Sequence, residues 1–264
     1  MNRTIARFRH WFLLSVLFSL TTVTAFPQAS RRASAVSYCE RGVQYHKQGE
    51  LDLALTDYNL ALKFDPTYAV AYYNRGVALY DKGNLEAALA DYTQALKLQA
   101  NYADAYYNRG IVRKAMNDVS GAIADYDAAL ALQPRHAAAY NNRGNARKCS
   151  GDLAGALADF DQAIQLEAKL ASAWNNRGNV WRAKGEWDKA LADYTQALKL
   201  DRNYAIAYLN RGVILLRQNR SADANQDFTQ AIKFDSKLEP LVEKYLGQAR
   251  QSQNETRIGE EAAR

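Results

Sequence analysis

The sequence predicts an all-α chain, a solenoid of helix pairs, and three observations carry that prediction. Glycines recur every 34 residues, at Gly42, Gly76, Gly110, Gly144, Gly178 and Gly212. Around each glycine the same text returns without insertion, clearest as AYYNRGVALYDKGNLEAALADYTQALKL from Ala71 to Leu98. Within each copy the apolar residues follow helical spacing in two runs, separated by a short break such as Lys82, Gly83, Asn84. Six units therefore tile residues 35–68, 69–102, 103–136, 137–170, 171–204 and 205–238. Each is a pair of antiparallel helices.

In chain order, the first element is an export signal. Arg3, Arg7 and Arg9 precede the nearly uncharged run WFLLSVLFSLTTVTA, which ends in Val23, Thr24 and Ala25. A basic start, an apolar centre and a small-residue edge predict a signal peptide over residues 1–25, cleaved after Ala25. A membrane span needs about 20 apolar residues and this run is shorter. Residues 26–34 follow as a short linker. After the sixth unit, Leu241, Val242, Tyr245, Leu246 and Ala249 form an apolar stripe on a helix that Pro240 is placed to start, predicting a capping helix over 239–250. The remaining QSQNETRIGEEAAR, residues 251–264, is polar and predicts a flexible tail.

Inside a unit, small and large residues alternate at fixed places. The eighth-position glycine and the twentieth-position alanines (Ala54, Ala88, Ala122, Ala156, Ala190, Ala224) mark where helices approach closely. Larger residues there overpack the contact, at about 1–3 kcal/mol. Aromatics at the fourth position (Tyr38 to Tyr208) and the twenty-fourth (Tyr58 to Phe228) fill the space between.

These residues resemble the tetratricopeptide repeat, in its exported form with six 34-residue units. The likeness is strong at Gly and Ala and weaker at the unit ends, where Pro66 and Pro134 appear but Ala100, Ala168, Arg202 and Ser236 replace proline. The resemblance implies a right-handed superhelix in which the first helix of each pair lines a concave groove. It also implies a protein that binds other proteins or peptides.

Two departures from bland repetition bear on function. The seventh position is Arg in every unit (Arg41, Arg75, Arg109, Arg143, Arg177, Arg211), and the twenty-third is always Asp (Asp57, Asp91, Asp125, Asp159, Asp193, Asp227). A partly buried Arg needs a carboxylate, so these are expected to pair between helices and fix register. The sixth position is Asn in five units: Asn74, Asn108, Asn142, Asn176 and Asn210. By the resemblance it faces the groove, where an amide offers both donor and acceptor to a peptide backbone at about 0.5–1.5 kcal/mol per bond. Shared ancestry of the copies explains the same ladder without a ligand.

The other groove positions vary along the array. Units two and three present Tyr73, Val77, Tyr80, Tyr107 and Ile111. Units four and five present Asn141, Asn145, Lys148, Asn175, Asn179 and Arg182, with Lys114 leading in. An apolar half thus adjoins a polar, mildly basic half, suiting a ligand with an apolar segment followed by polar or acidic residues.

Several classes are excluded. The family's carboxylate clamp wants basic residues where this chain has Asn141, Ile206 and Asn210. No GxSxG, HExxH, GxxxxGK[ST] or GxGxxG is present, so neither catalysis nor a cofactor is expected. His46 and His136 lie in distant units, and Cys39 and Cys149 are three units apart, so neither a metal site nor a disulfide is expected. The net charge of +6 invites a nucleic-acid reading, but residues 1–34 hold five basic residues and no acid, the repeats 25 against 23, and the tail four against five. The basic balance belongs mostly to the export signal. The sequence therefore predicts an exported, periplasmic or secreted scaffold that binds extended peptide segments, with no nucleic acid as partner and no membrane attachment after cleavage. Self-assembly of copies, and a membrane-tethered assembly factor that keeps residues 1–25 as an anchor, are the alternatives.

Overall fold

A computed structural model of the chain describes the backbone of residues 28–262 and the side chains of residues 28–251. The expected export signal and its cleavage site lie outside the described residues. The chain divides into two compact units, the first ending at Gln99 and the second beginning at Ala100.

The first unit holds α1 (Gln28–Lys47), α2 (Leu51–Phe64), α3 (Ala69–Asp81) and α4 (Leu85–Leu98). The second holds α5 (Ala103–Ala115), α6 (Val119–Leu132), α7 (Ala137–Cys149), α8 (Leu153–Leu166), α9 (Ala171–Ala183), α10 (Trp187–Leu200), α11 (Ala205–Arg217), α12 (Ser221–Phe234) and α13 (Glu239–Ala262). In both, α-helices pack as consecutive pairs in the manner of a tetratricopeptide-repeat solenoid. Two expected boundaries move. Residues 28–34 are not a linker but the first turns of α1, because Ala29, Arg31, Arg32 and Ala33 are good helix formers with no breaker among them. There Arg32 pairs with Asp65 and lies over the Tyr68 ring at 4.0 Å. The polar tail is likewise helical, with α13 continuing to Ala262. Its Gln, Glu and Arg residues are good helix formers, so a polar composition does not remove helix propensity.

The break between paired helices has a single backbone cause. The fifteenth position has positive φ in every unit: Gly49, Gly83, Gly151 and Gly185, with Asn117 and Asn219 in the other two. Glycine pays no Cβ penalty there, and asparagine is the side chain that tolerates the conformation best. The following residue caps the second helix where its side chain allows: Asn84, Asp118 and Asp152 accept from the backbone N–H of Ala87, Gly121 and Gly155.

The core of each pair is a glycine set against an aromatic ring. A Cβ on Gly42, Gly110, Gly178 or Gly212 would stand 2.7 Å from the ring of Tyr58, Tyr126, Tyr194 or Phe228, and one on Gly144 would stand 2.8 Å from Phe160. The alanines at the twentieth position are fully buried beside them. At the C-terminal end Val242 is buried, and Leu241, Tyr245 and Leu246 cover Phe228 and Leu238, so the stripe on α13 closes the last pair.

One of these rings is imperfectly matched. The Tyr58 hydroxyl is buried and has no hydrogen-bond partner among the described residues. In the fifth repeat the equivalent Tyr194 donates to Asn179 Oδ1 at 2.9 Å, but the first repeat has Val43 at that place. Repeats four and six use Phe160 and Phe228 instead. Tyr58→Phe is therefore expected to raise stability by about 1 kcal/mol, measured by urea denaturation.

Candidate interaction surface

The invariant Arg and Asp are structural. In each repeat the seventh-position guanidinium donates through Nε and Nη2 to both oxygens of the twenty-third-position carboxylate, at 2.6–3.0 Å. Every carboxylate of the set is buried. The hydrogen bonds to Asp57, Asp91, Asp193 and Asp227 raise the pKa of Arg41, Arg75, Arg177 and Arg211, which keeps the pairs ionised. The same guanidinium lies 4.8–5.8 Å from the fourth-position aromatic ring of its own repeat. Its remaining nitrogen reaches back one repeat: Arg75 Nη1 to Asn59, Arg143 to Asp127, Arg177 to Asp161 and Arg211 to Thr195. One side chain thus ties three helices together. The expected pairing is present, and the third arm to the preceding repeat is an addition that the sequence did not suggest.

The asparagine ladder also bonds between repeats. Asn176 Nδ2 donates to Asn141 Oδ1, and Asn210 Nδ2 to Asn175 Oδ1, both at 3.0 Å. Asn142 Nδ2 donates to Tyr107 Oη at 3.0 Å, and Asn74 Nδ2 contacts Cys39 Sγ at 3.4 Å. A sixth-position amide therefore meets the fifth-position side chain of the preceding repeat. Asn141 and Asn175, expected in the groove, are buried at 8% and 2% exposure because they are the acceptors of this ladder. Asn176→Ala is expected to cost about 0.5–1.5 kcal/mol of stability in urea denaturation even without any ligand, since it orphans Asn141 Oδ1.

What is left open is a strip on the first helices. In the first unit it includes Tyr73, Asn74 and Val77, half-buried, and Tyr80, exposed, with the Tyr73 ring 5.9 Å from that of Tyr92. In the second unit Tyr107 lies 4.6 Å from the ring of His136, whose Nδ1 accepts from the Ala139 N–H. Beside it stand Asn108, Ile111 and Lys114 on α5, Asn142, Asn145 and Lys148 on α7, Asn176, Asn179 and Arg182 on α9, and Asn210 on α11, all half-buried. Lys114, Lys148 and Arg182 share the twelfth position of successive repeats. Burial, with repulsion from Lys114 and Arg182, pushes the Lys148 ammonium below its ordinary pKa. Past Arg182 the strip opens into a cleft of about 910 Å³, walled by Trp187, Val213, Leu216, Arg217, Tyr245 and Gln248. The sequence reading missed this cleft. Its only sequence signal is the last apolar stripe, which puts Tyr245 one turn before Gln248 and Ala249 on α13.

Paired helices whose packing positions are uniform while one exposed strip varies define a helical-repeat binding module. The chain belongs to the tetratricopeptide repeat family. It matches the family described as TPR repeat over residues 42–83, 78–117 and 178–219, and that described as Tetratricopeptide repeat over residues 107–169, together more than half of its length. Such repeats are protein-interaction scaffolds and are generally non-catalytic. None of the curated proteins matches the sequence. Among solved structures, the APC/C hetero-tetramer Cut9-Hcn1 superimposes with a TM-score of 0.70 at 20% identity, over 82% of this chain and 43% of that one. The chain thus spans less than half of that protein's length. Pseudomonas aeruginosa pilF gives 0.66 at 20% identity, over 86% and 99%. YrrB, described as a TPR protein with an unusual peptide-binding site, gives 0.55 at 24% identity, over 68% and 92%. At these identities the likeness is one of fold.

Proposed function

We propose that this protein is an exported, non-catalytic scaffold that holds an extended peptide segment of a partner against the exposed strip of its first helices. One observation carries the reading. Positions whose side chains are spent on packing are constant from repeat to repeat, whereas the ninth and twelfth change from Val77 and Tyr80 to Asn145 and Lys148, then Asn179 and Arg182. Copying alone yields sameness everywhere. A surface that is half-buried, rich in amide and cationic groups, and borne on rigid helices suits side-chain readout along an extended chain. Export rests on the composition of residues 1–25. Among the described residues no helix is long and apolar enough to cross a membrane.

The site is tested by filling it. Asn145→Trp places a large ring on the strip without touching the Arg–Asp staples or the bond between Tyr194 and Asn179, and is expected to abolish capture of the partner from the exported fraction while leaving the circular dichroism spectrum intact. Undiminished capture would move the site elsewhere. N-terminal sequencing of the exported protein is expected to begin at Phe26, and a chain beginning at Met1 would contradict cleavage.

A further inference from the structure

We propose that the strip of the second unit takes an acidic peptide segment bearing an apolar or aromatic side chain, with its carboxylates on Lys114, Lys148 and Arg182 and the apolar side chain in the cleft walled by Trp187, Leu216 and Tyr245. This deepens the peptide-binding reading above and rests on it. The charge argument comes first. Each seventh-position Arg has a bidentate carboxylate, and Arg113 and Arg147 are paired as well. Among the described residues no ion pair includes Lys114, Lys148 or Arg182, although the repeats hold almost as many acids as bases. These three half-buried cations stand one repeat apart, and burial together with the charges of Lys114 and Arg182 disfavours the ammonium form of Lys148. An anionic ligand on this row meets three cations at once and relieves their mutual repulsion.

The neutral groups beside the row point the same way. Tyr194 donates to Asn179 Oδ1 at 2.9 Å, which occupies one lone pair of that oxygen and turns both N–H groups of the amide toward donation to a ligand. A surface of ammonium, guanidinium and amide donors is complementary to acceptors, above all carboxylates. The cleft supplies the second half of the specificity. Arg182 belongs both to the row and to the cleft, and Arg217 lies over the Trp187 ring at 5.0 Å, so an apolar pocket with a cationic rim directly continues the row. About 910 Å³ is ample for one aromatic or branched side chain. A nucleic acid suits the row less well, because asparagines stand between Lys114, Lys148 and Arg182 and the rings on which bases could stack lie only at the two ends, at Tyr107 and in the cleft.

The test uses the full chain and three pools of fluorescein-labelled random peptides, identical except that alternate positions are Glu, Gln or Lys. Fluorescence anisotropy is expected to show the Glu pool binding about tenfold more tightly than the Lys pool, with a preference that fades as salt rises. Lys148→Glu with Arg182→Glu is expected to reverse that order. Leu216→Arg is expected to weaken those members of the Glu pool that carry Phe, Leu or Trp. Equal binding of the Glu and Lys pools, or an unchanged preference in the doubly charge-reversed protein, overturns the assignment of an acidic ligand. Binding of the Gln pool without charge preference would do so while leaving the peptide-binding reading standing, whereas binding of no pool removes both. A single-stranded oligothymidine that outcompetes the Glu pool would assign the row to nucleic acid instead and overturn the proposal.

Discussion

Asp159→Ala is expected to destabilise the protein by about 3–5 kcal/mol. Two arginines converge on this one carboxylate: Arg143 through Nε and Nη2 at 3.0 and 2.6 Å, and Arg147 through Nη1 at 3.0 Å. Asp159 is 3% exposed and the two arginines 14% and 25%, so truncation takes the buried carboxylate from two largely desolvated guanidiniums and leaves them only the half-exposed Asp127 and Asp152. The damage spreads because Arg143 also holds Asp127 of the preceding repeat, and a solenoid's stability is a sum of repeat and neighbour interactions. Asp57→Ala supplies the internal comparison. Its partner Arg41 is 55% exposed, and water can take over the hydrogen bonds. Urea denaturation is expected to rank Asp159→Ala well above Asp57→Ala, and equal losses would mean that the pairs contribute through something other than desolvated charge.

Gly144→Val is the second large effect, a loss of about 3 kcal/mol. Even the first added carbon would stand 2.8 Å from Cε1 and 3.0 Å from Cζ of Phe160. Valine adds two methyls to that collision, and it outweighs the roughly 1 kcal/mol of helix propensity that replacing glycine gains. Since the ring is the obstacle, Phe160→Leu in the same chain is expected to recover part of the loss, so that the pair of substitutions costs less than the sum of the two. Strict additivity would show that Gly144 is required for its backbone and not for the ring above it.

The fold is legible in this sequence because its period repeats six times, so each packing position is stated six times over. Gly against aromatic, Ala at the close approach and Arg opposite Asp emerge directly from the register. Legibility ends where a feature depends on a neighbour's placement. The seventh-position Arg announces its carboxylate, but its bond to the twenty-fifth position of the repeat before it is hidden, since that place is Asn59, Asp127, Asp161 or Thr195 and shows no pattern. The asparagine ladder suggests a ligand, and only side-chain geometry reveals that its amides bond to Asn141, Asn175 and Tyr107. The polar stretch from Gln251 reads as a tail because a sequence without apolar residues at helical spacing leaves no periodic signal, although its backbone is helical to Ala262. The cleft beside Trp187 needs the position of α13, which no repeat encodes.

The central claim is that partners meet the exposed strip of the first helices, and site-specific photocrosslinking tests it most directly. Benzoylphenylalanine at Lys148 sits on that strip, and the same group at Lys199 sits on an exposed face of the second helix of a pair. Irradiation in whole native cells is expected to join the partner to the chain substituted at 148 and not to that substituted at 199. Crosslinking at 199 with none at 148 would contradict the account.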